Sequence, residues 1–598
     1  MAKKRIQETE TRKLWDEDPV KIPLQKSRKR AVILITVIFF CFAVIVVRLV
    51  DIMIFDHEKL ASRAEQQYHR KKTIESQRGV MWDRRMKEMV ANIETSSLYA
   101  VPSRIKETRA LSKTLSPLVN VPSEQLNTLL VNKKNKDFLW LARKMDIETV
   151  RNMEALREQS KQGEFGFLAE SRRYYPKGQT AAHLLGFTDI DNKGISGLEL
   201  YYDEYLKGKA ESFSVGTDAR GNRLSNEIRD GVPGNNLVLT IDEGIQYIVE
   251  RELTNAIETW GAKAASAIMM DPRTGEVLAI SNRPTYDPNY AGKAEDFARR
   301  NRAITDLYEP GSTFKTILAS AALENEVVGL NNRFDVSRGF IVVGGKSIKD
   351  VHKNGVLSFQ EVFQHSSNVG AVMIGLKLGA ERYYEYIKKF GFGDKTGIDL
   401  PGEAKGILRK TSGWSGTSLA AISIGQEIGV TPMQIIKAYS AVANGGLLMK
   451  PYFVSDIISP SGEVIKRTRP EVERRVISEK TAKKVRDILK TVVEEGGTAT
   501  KAYIKGNLVA GKTGTAQLFD PETGRYSKNR FISSFVGFVP ADDPRLALIV
   551  VVYEPRGSAY GGVVAAPVFK NIMEHTLAYL DIPMEREGNQ ILLVTKSR

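Results

Sequence analysis

The sequence predicts an α+β protein: an antiparallel sheet with helices packed on it, joined to a more irregular module and one N-terminal membrane helix. Three observations predict it. Short apolar runs flank turn signals in the second half of the chain, long apolar helical patterns lie between them, and one uncharged stretch stands near the N-terminus. With 598 residues, the chain is too long for one ordinary domain, so two or three folded units are expected.

The uncharged stretch, residues 31–47, reads AVILITVIFFCFAVIVV. At about 1.5 Å per residue it spans about 26 Å, and Leu49, Val50, Ile52 and Met53 extend it while Arg48 snorkels. Lys26, Arg28, Lys29 and Arg30 precede it and Asp51, Asp56 and Glu58 follow, which keeps the N-terminus in the cytoplasm and exports the rest. A cleaved signal peptide fits less well, because the run is long and no small-x-small site follows it closely. The expected layout is a cytoplasmic tail (1–30), a signal anchor (31–50), a first exported module (51–235), a larger second one (236–580) and a C-terminal tail (581–598).

Between 51 and 235 the patterns are mixed. Helical spacing runs through 58–70 and 147–161, short strands are expected near 79–81 and 97–101, and turns cluster at Pro176-Lys177-Gly178 and Asp191-Asn192-Lys193-Gly194. The texture changes at Asn236. Residues 237–241 read as a strand, and Asp242 caps a helix running to about 260. Residues 264–271 and 276–282 flank Pro272-Arg273-Thr274-Gly275 as a hairpin. Helices are expected at 312–325, 359–378 and 431–443, then apolar runs at 507–519, 531–540 and 546–553.

Composition narrows the chemistry. The only cysteine, Cys41, lies in the apolar stretch, so neither a disulfide framework nor a thiolate metal site can be built. The six histidines never fall in an H-x-H or H-x-x-x-H pair, which argues against a metal enzyme; no metal or other cofactor is expected. The formal charge of +16 is scattered, without the aromatic interleaving of single-strand binders. It reads as a solvated basic surface in an anionic wall or membrane setting, not as a nucleic-acid footprint.

Three short motifs carry the chemistry. Ser312 and Lys315 open a helix after Pro310-Gly311 and share one face of its first turn. A serine needs a base, and a lysine kept neutral by burial can serve. Ser366-Ser367-Asn368 and Lys512-Thr513-Gly514-Thr515 follow in the order found in serine β-lactamases and penicillin-binding proteins. Decoys exist. Ser103–Lys106 repeats S-x-x-K on a surface segment, Lys395-Thr396-Gly397 lies among turn residues, and Ser527-Lys528-Asn529 comes after the K-T-G in a polar loop.

Beyond these motifs, EPGSTFK, SSNVG, TGIDLPGE, GQEIGVTPMQ and KTGTAQ resemble the transpeptidase domain of class B penicillin-binding proteins, and RGVMWDR (78–84), YYPKGQTAAHLLG (174–186) and GISGLELYYDEYLKG (194–208) resemble their pedestal. Arg85-Met86 replace the family's usual Asn-Gly after the first of these, a departure that bears on the local turn. Within the family the chain is most similar to the division-specific septal transpeptidase. The resemblance implies that Ser312 attacks the penultimate D-Ala of a stem peptide, Lys315 is the base, Ser366 relays a proton and Asn368 binds the substrate amide. It further implies that Lys512, Thr513 and Thr515 receive the donor carboxylate along the Gly514 strand, with the Ser312 and Thr515 amides as oxyanion hole. Implied partners are D-Ala-D-Ala stem peptides, β-lactams, a membrane-embedded SEDS-type glycan polymerase and other divisome proteins. Alternatives are an elongation-specific enzyme of the same class, a vestigial divisome scaffold and a D,D-carboxypeptidase. A β-lactamase fits poorly, because no E-x-x-x-N falls between Asn368 and Lys512.

Overall fold

The computed structural model describes residues 24–58, 69–74, 76–136, 138–146, 148–151, 164–209, 211–216, 231–520 and 524–583. The chain divides into two compact units, Met1–Ile74 with Glu211–Asp230, and Glu75–Ala210 with Gly231–Arg598. In the first, a helix Leu24–Val50 continues into a π-turn, Asp51–Phe55. Its stretch Arg28–Ile54 is long and apolar enough to cross a membrane, and its side chains are exposed, Phe39 by 73%. The strand His69–Ile74 pairs antiparallel with Glu211–Gly216. This corrects the helix expected at 58–70 at its far end, because distant pairing overrides local spacing there. Residues 59–68 of that expectation, and 152–161 of the helix expected at 147–161, lie outside the described residues.

The second unit is built on a five-stranded antiparallel sheet. Its order is Ala510–Asp520, Arg525–Val539, Leu546–Tyr553, Ala264–Met270, Val277–Arg283. Alternate side chains enter two different cores. Leu546, Leu548, Val550 and Val552 face the helices Glu243–Trp260 and Gly561–Tyr579, whereas Ala547, Ile549 and Val551 join the larger core of Lys315–Glu324 and Pro432–Ala443. Burial on both faces is why this strand reads as a continuous apolar run. The expected cap and hairpin are present: Asp242 accepts from the amides of Gly244 (2.9 Å) and Ile245 (3.3 Å), and Gly275 turns the hairpin at φ +83°.

A second sheet crosses residue 235. Asn236–Leu239 runs parallel to Met81–Trp82 and antiparallel to Val454–Ile458, while Glu88–Ala100 pairs with Met81–Trp82, Leu139–Met145 and Phe165–Tyr174. Beneath it lies an ionic hub. Arg78 and Arg173 both reach Glu199 at 2.6 Å, and Arg78 also reaches Asp203 at 2.7 Å. Tyr202 then donates to Asp399 of the TGIDLPGE loop at 2.8 Å, while Asp399 accepts from the Phe453 and Val454 amides. The motifs shared with pedestals are thus the ones that lock this region to the catalytic body.

The turn lacking Asn-Gly still closes. Asp83 N–H donates to Lys87 O (2.8 Å), Asp83 Oδ1 accepts from the Arg85 and Lys87 amides, and Met86 takes the left-handed position at φ +62°. Arg85, standing where the family usually has Asn, pairs with Asp242 at 2.8 Å and lies over the Tyr579 ring.

Candidate active site

Pro310 and Gly311 stop the incoming chain, and Gly311–Phe314 forms a tight 3₁₀ turn before the α-helix Lys315–Glu324. The helix expected from Ser312 therefore begins one turn later, which leaves Ser312 half-buried on the turn. Among the described residues, Ser312 Oγ has no hydrogen-bond partner. Tyr439 fixes the turn from below: its hydroxyl donates to Thr313 O at 2.8 Å and lies 2.7 Å from Thr316 Oγ1.

The segment expected as one helix over 359–378 is two, Phe359–Gln364 and Asn368–Leu378. The break falls on the second motif, where Ser366 adopts φ +56°. A non-glycine residue there is strained, and such strain persists where the surroundings enforce it. Lys315 holds the Ser366 carbonyl, and Asp350, which the sequence reading did not single out, holds the residues that follow it. Its carboxylate accepts from Ser367 Oγ (2.8 Å), from the Val369 amide (2.9 Å) and, in a very short contact, from the Asn368 amide. It thus supplements the Ser367 N-cap of the second helix from just beyond the strand Lys346–Lys349, whose last carbonyl accepts from Asn368 Nδ2 at 2.9 Å. No local pattern marks Asp350, because its partners lie far along the chain.

Lys315 is fully buried and its Nζ donates to Ser366 O (2.7 Å) and Asn368 Oδ1 (2.8 Å), with Ser366 Oγ at 3.4 Å. Lys512 is equally buried and donates to the same Ser366 Oγ at 3.0 Å and to Thr513 Oγ1 at 3.2 Å. Burial pulls the Lys315 ammonium down to about 7, partly opposed by the Asp350 carboxylate. Burial, and then the charge of Lys315, push Lys512 well below the ordinary lysine range. Both lysines are thus pushed towards the neutral form, the form a base needs.

The third motif lies on Ala510–Asp520, the edge strand of the sheet, so one side of its backbone is unpaired. The strand presses against the Gly311–Phe314 turn. A Cβ on Gly514 would fall 2.9 Å from Thr313 Cγ2 and 3.0 Å from Pro310 O, and one on Gly311 would fall 2.9 Å from Thr515 O. Both glycines are therefore required by contact between the two segments. Thr513 Oγ1 lies 3.1 Å from Thr498 Oγ1, and Thr515 Oγ1 accepts from the Gly561 amide at 3.1 Å. Lys315, Ser366, Asn368, Lys512 and Thr513 form one hydrogen-bonded cluster, with Ser312, Gly514 and Thr515 on the adjoining segments.

The decoys fall elsewhere. Lys395-Thr396-Gly397 is a turn whose Thr396 and Gly397 amides donate to Glu403. Ser103 and Arg104 lie in the short 3₁₀ turn Pro102–Arg104. Ser527-Lys528-Asn529 lies on the strand Arg525–Val539, not in a loop, because Arg525 and Tyr526 pair back onto Asp520 and Phe519.

Residues 265–574 match the family described as penicillin binding protein transpeptidase domain, and 73–239 match the penicillin-binding protein dimerisation domain. The chain is 37% identical to stage V sporulation protein D of Bacillus subtilis, covering 94% of this chain and 87% of that one. It is 33% identical to peptidoglycan D,D-transpeptidase FtsI of Escherichia coli K12, covering 91% of each. Among solved structures, penicillin binding protein 3 of Mycobacterium tuberculosis complexed with aztreonam superposes with a TM-score of 0.68 at 29% identity, over 86% of this chain and 98% of that one. With both domains matched and the second and third motifs hydrogen-bonded into one cluster with Lys315 of the first, the chain belongs to the class B penicillin-binding proteins.

Proposed function

We propose that this protein is a peptidoglycan D,D-transpeptidase that cross-links stem peptides through an acyl-enzyme on Ser312, in septal wall synthesis during cell division. The observation that carries the reading is the convergence of two buried lysines on Ser366 Oγ, beside the turn that presents Ser312. Ser312 Oγ attacks the penultimate D-Ala carbonyl as its proton passes to Lys315. The Ser312 and Thr515 amides hold the oxyanion, and Lys512 with the Thr513 and Thr515 hydroxyls holds the terminal carboxylate. The C–N bond then breaks, Ser366 relays the proton to the departing D-Ala amine, and an ester remains. An amine of a neighbouring stem attacks that ester, forms the cross-link and returns the proton to Ser312. Asn368 fixes Lys315 and binds the substrate amide. The unpaired edge of Ala510–Asp520 suits a donor peptide added as a further strand. β-Lactams enter as donor mimics and stall at the ester.

The apolar helix anchors the chain once in the cytoplasmic membrane, with the basic flank inside and residues 51–235 (pedestal) and 236–580 (catalytic domain) outside. A SEDS-type glycan polymerase and other divisome proteins are the partners this placement suits. The similarity to the sporulation protein favours a second reading, in which the same chemistry serves sporulation.

The test pairs chemistry with physiology. Fluorescent penicillin should label the wild type in denaturing gels and leave Ser312→Ala unlabelled. A fluorescent fusion should gather at midcell, and depletion should give filaments. Sidewall localisation or a defect confined to sporulation would refute the septal role, and absence of label on folded protein would refute the acyl-enzyme.

A further inference from the structure

Of the segments that resemble the transpeptidase family, GQEIGVTPMQ (425–434) takes no part in the hydrogen-bonded cluster, yet it and the helix it opens, Pro432–Ala443, hold the turn that carries Ser312. Tyr308 and Val430 exchange backbone hydrogen bonds of 3.0 Å. The Gly311 amide donates to Gly425 O at 3.0 Å, and a Cβ on Gly425 would fall 2.1 Å from Gly311 O, so only glycine permits that approach. Thr313, fully buried within the turn, is held on three sides. Its hydroxyl donates to Pro310 O at 2.8 Å, its methyl lies against Gly514, and its carbonyl accepts from the Tyr439 hydroxyl at 2.8 Å. That hydroxyl has one proton, so it accepts in turn from Thr316 Oγ1, 2.7 Å away. Burial raises the Tyr439 pKa above its ordinary value, so the proton stays in place.

We infer that Tyr439 is a positioning residue for acylation: by holding the Thr313 carbonyl it keeps Gly311–Phe314 in its tight turn and so aims Ser312 Oγ and the Ser312 amide. The inference rests on the reading of Ser312 as the acylated nucleophile. A donor that reaches a helical carbonyl from the side draws it off the axis, and the carbonyl concerned belongs to the stretch that is 3₁₀ and not α. Tyr439 touches no reacting atom and acts only through Thr313, the neighbour of the nucleophile in the chain. A displacement of about 1 Å at reacting atoms can cost about a hundredfold in rate. One hydrogen bond behind the turn therefore bears on the chemical step, while the edge strand Ala510–Asp520 that would take the donor is left as it is.

The experiment measures acylation of the full chain in detergent micelles by a fluorescent penicillin, separating the rate constant at saturation from the half-saturating concentration. In Tyr439→Phe the rate constant should fall at least about tenfold and the half-saturating concentration change less than about twofold, the signature of an interaction felt only in the chemical step. Thr316→Val keeps the bond from Tyr439 to Thr313 and should stay within about threefold of the wild type. Thr313→Val removes the hold on Pro310 O, should show the same selective loss, and carries the test if Tyr439→Phe does not fold. A wild-type rate constant in folded Tyr439→Phe, with only the thermal midpoint lowered, would overturn the inference. An equal loss in Thr316→Val would do so too, by placing the effect in core packing. Absence of acylation in the wild type would instead refute the acyl-enzyme on Ser312, and the inference with it.

Discussion

Two clusters of buried charge stand in the same compact unit and are built on opposite principles. In the pedestal hub, Arg78 and Arg173 meet Glu199, and Asp203 takes a further contact from Arg78. Burial acts to lower the Arg78 pKa, but Glu199 and Asp203 outweigh it and the guanidinium is held above its usual range. In the catalytic cluster, two lysines are buried side by side with only Asp350 among the nearby carboxylates, and both are driven down. Compensated charge fixes geometry; uncompensated charge stores the capacity to take a proton. The difference separates the scaffold from the chemistry without reference to sequence motifs.

The largest effect that would sharpen this contrast is expected at Lys315. Lys315→Ala should lower the rate of penicillin acylation by about a thousandfold or more, within the range of a lost general base, and the circular dichroism spectrum should be unchanged. Next in size is Glu199→Gln, which strands two arginines and should cost roughly 3–5 kcal/mol in urea unfolding, with acylation per folded molecule retained. Loss of acylation in folded Glu199→Gln would break the distinction between the two clusters.

A smaller effect is expected at Asp350. Its charge opposes the lowering of Lys315, so Asp350→Asn should move the midpoint of the acylation pH profile to lower pH while asparagine still caps the helix. An upward shift would remove Asp350 from that role. The smallest change lies in the pedestal turn. Met86 is exposed and left-handed, so Met86→Gly should raise stability by about 1 kcal/mol, read from the thermal midpoint; a fall would show that the side chain contributes there.

Much of the site was legible because its motifs are local. Ser312 with Lys315, and the alternation through Lys512–Thr515, follow from helix and strand periods. Asp242 and the 272–275 turn were legible for the same reason. The break at Ser366 was signalled only by five polar residues, Gln364-His365-Ser366-Ser367-Asn368, while the contacts that hold it come from Lys315 and Asp350, outside that segment. The sheet that crosses residue 235 was not legible, since it recruits Val454–Ile458 through pairing that no local window contains. The Arg78–Glu199 contact joins residues whose separation hides it in the same way.

The most direct test of Lys315 as a base kept neutral by burial is the rate of penicillin acylation against pH, for the wild type and Lys315→Ala. The folded value of about 7 lies below the roughly 10.4 of an unfolded lysine. The wild-type rate should therefore rise through about pH 7 and level off above it. By the same sign, the native state binds fewer protons than the unfolded chain between those values, so this lysine makes stability increase with pH across that window. A rise centred near pH 7 in the wild type and a flat, minimal rate in Lys315→Ala is the expected result; acylation at the wild-type rate in Lys315→Ala would contradict it.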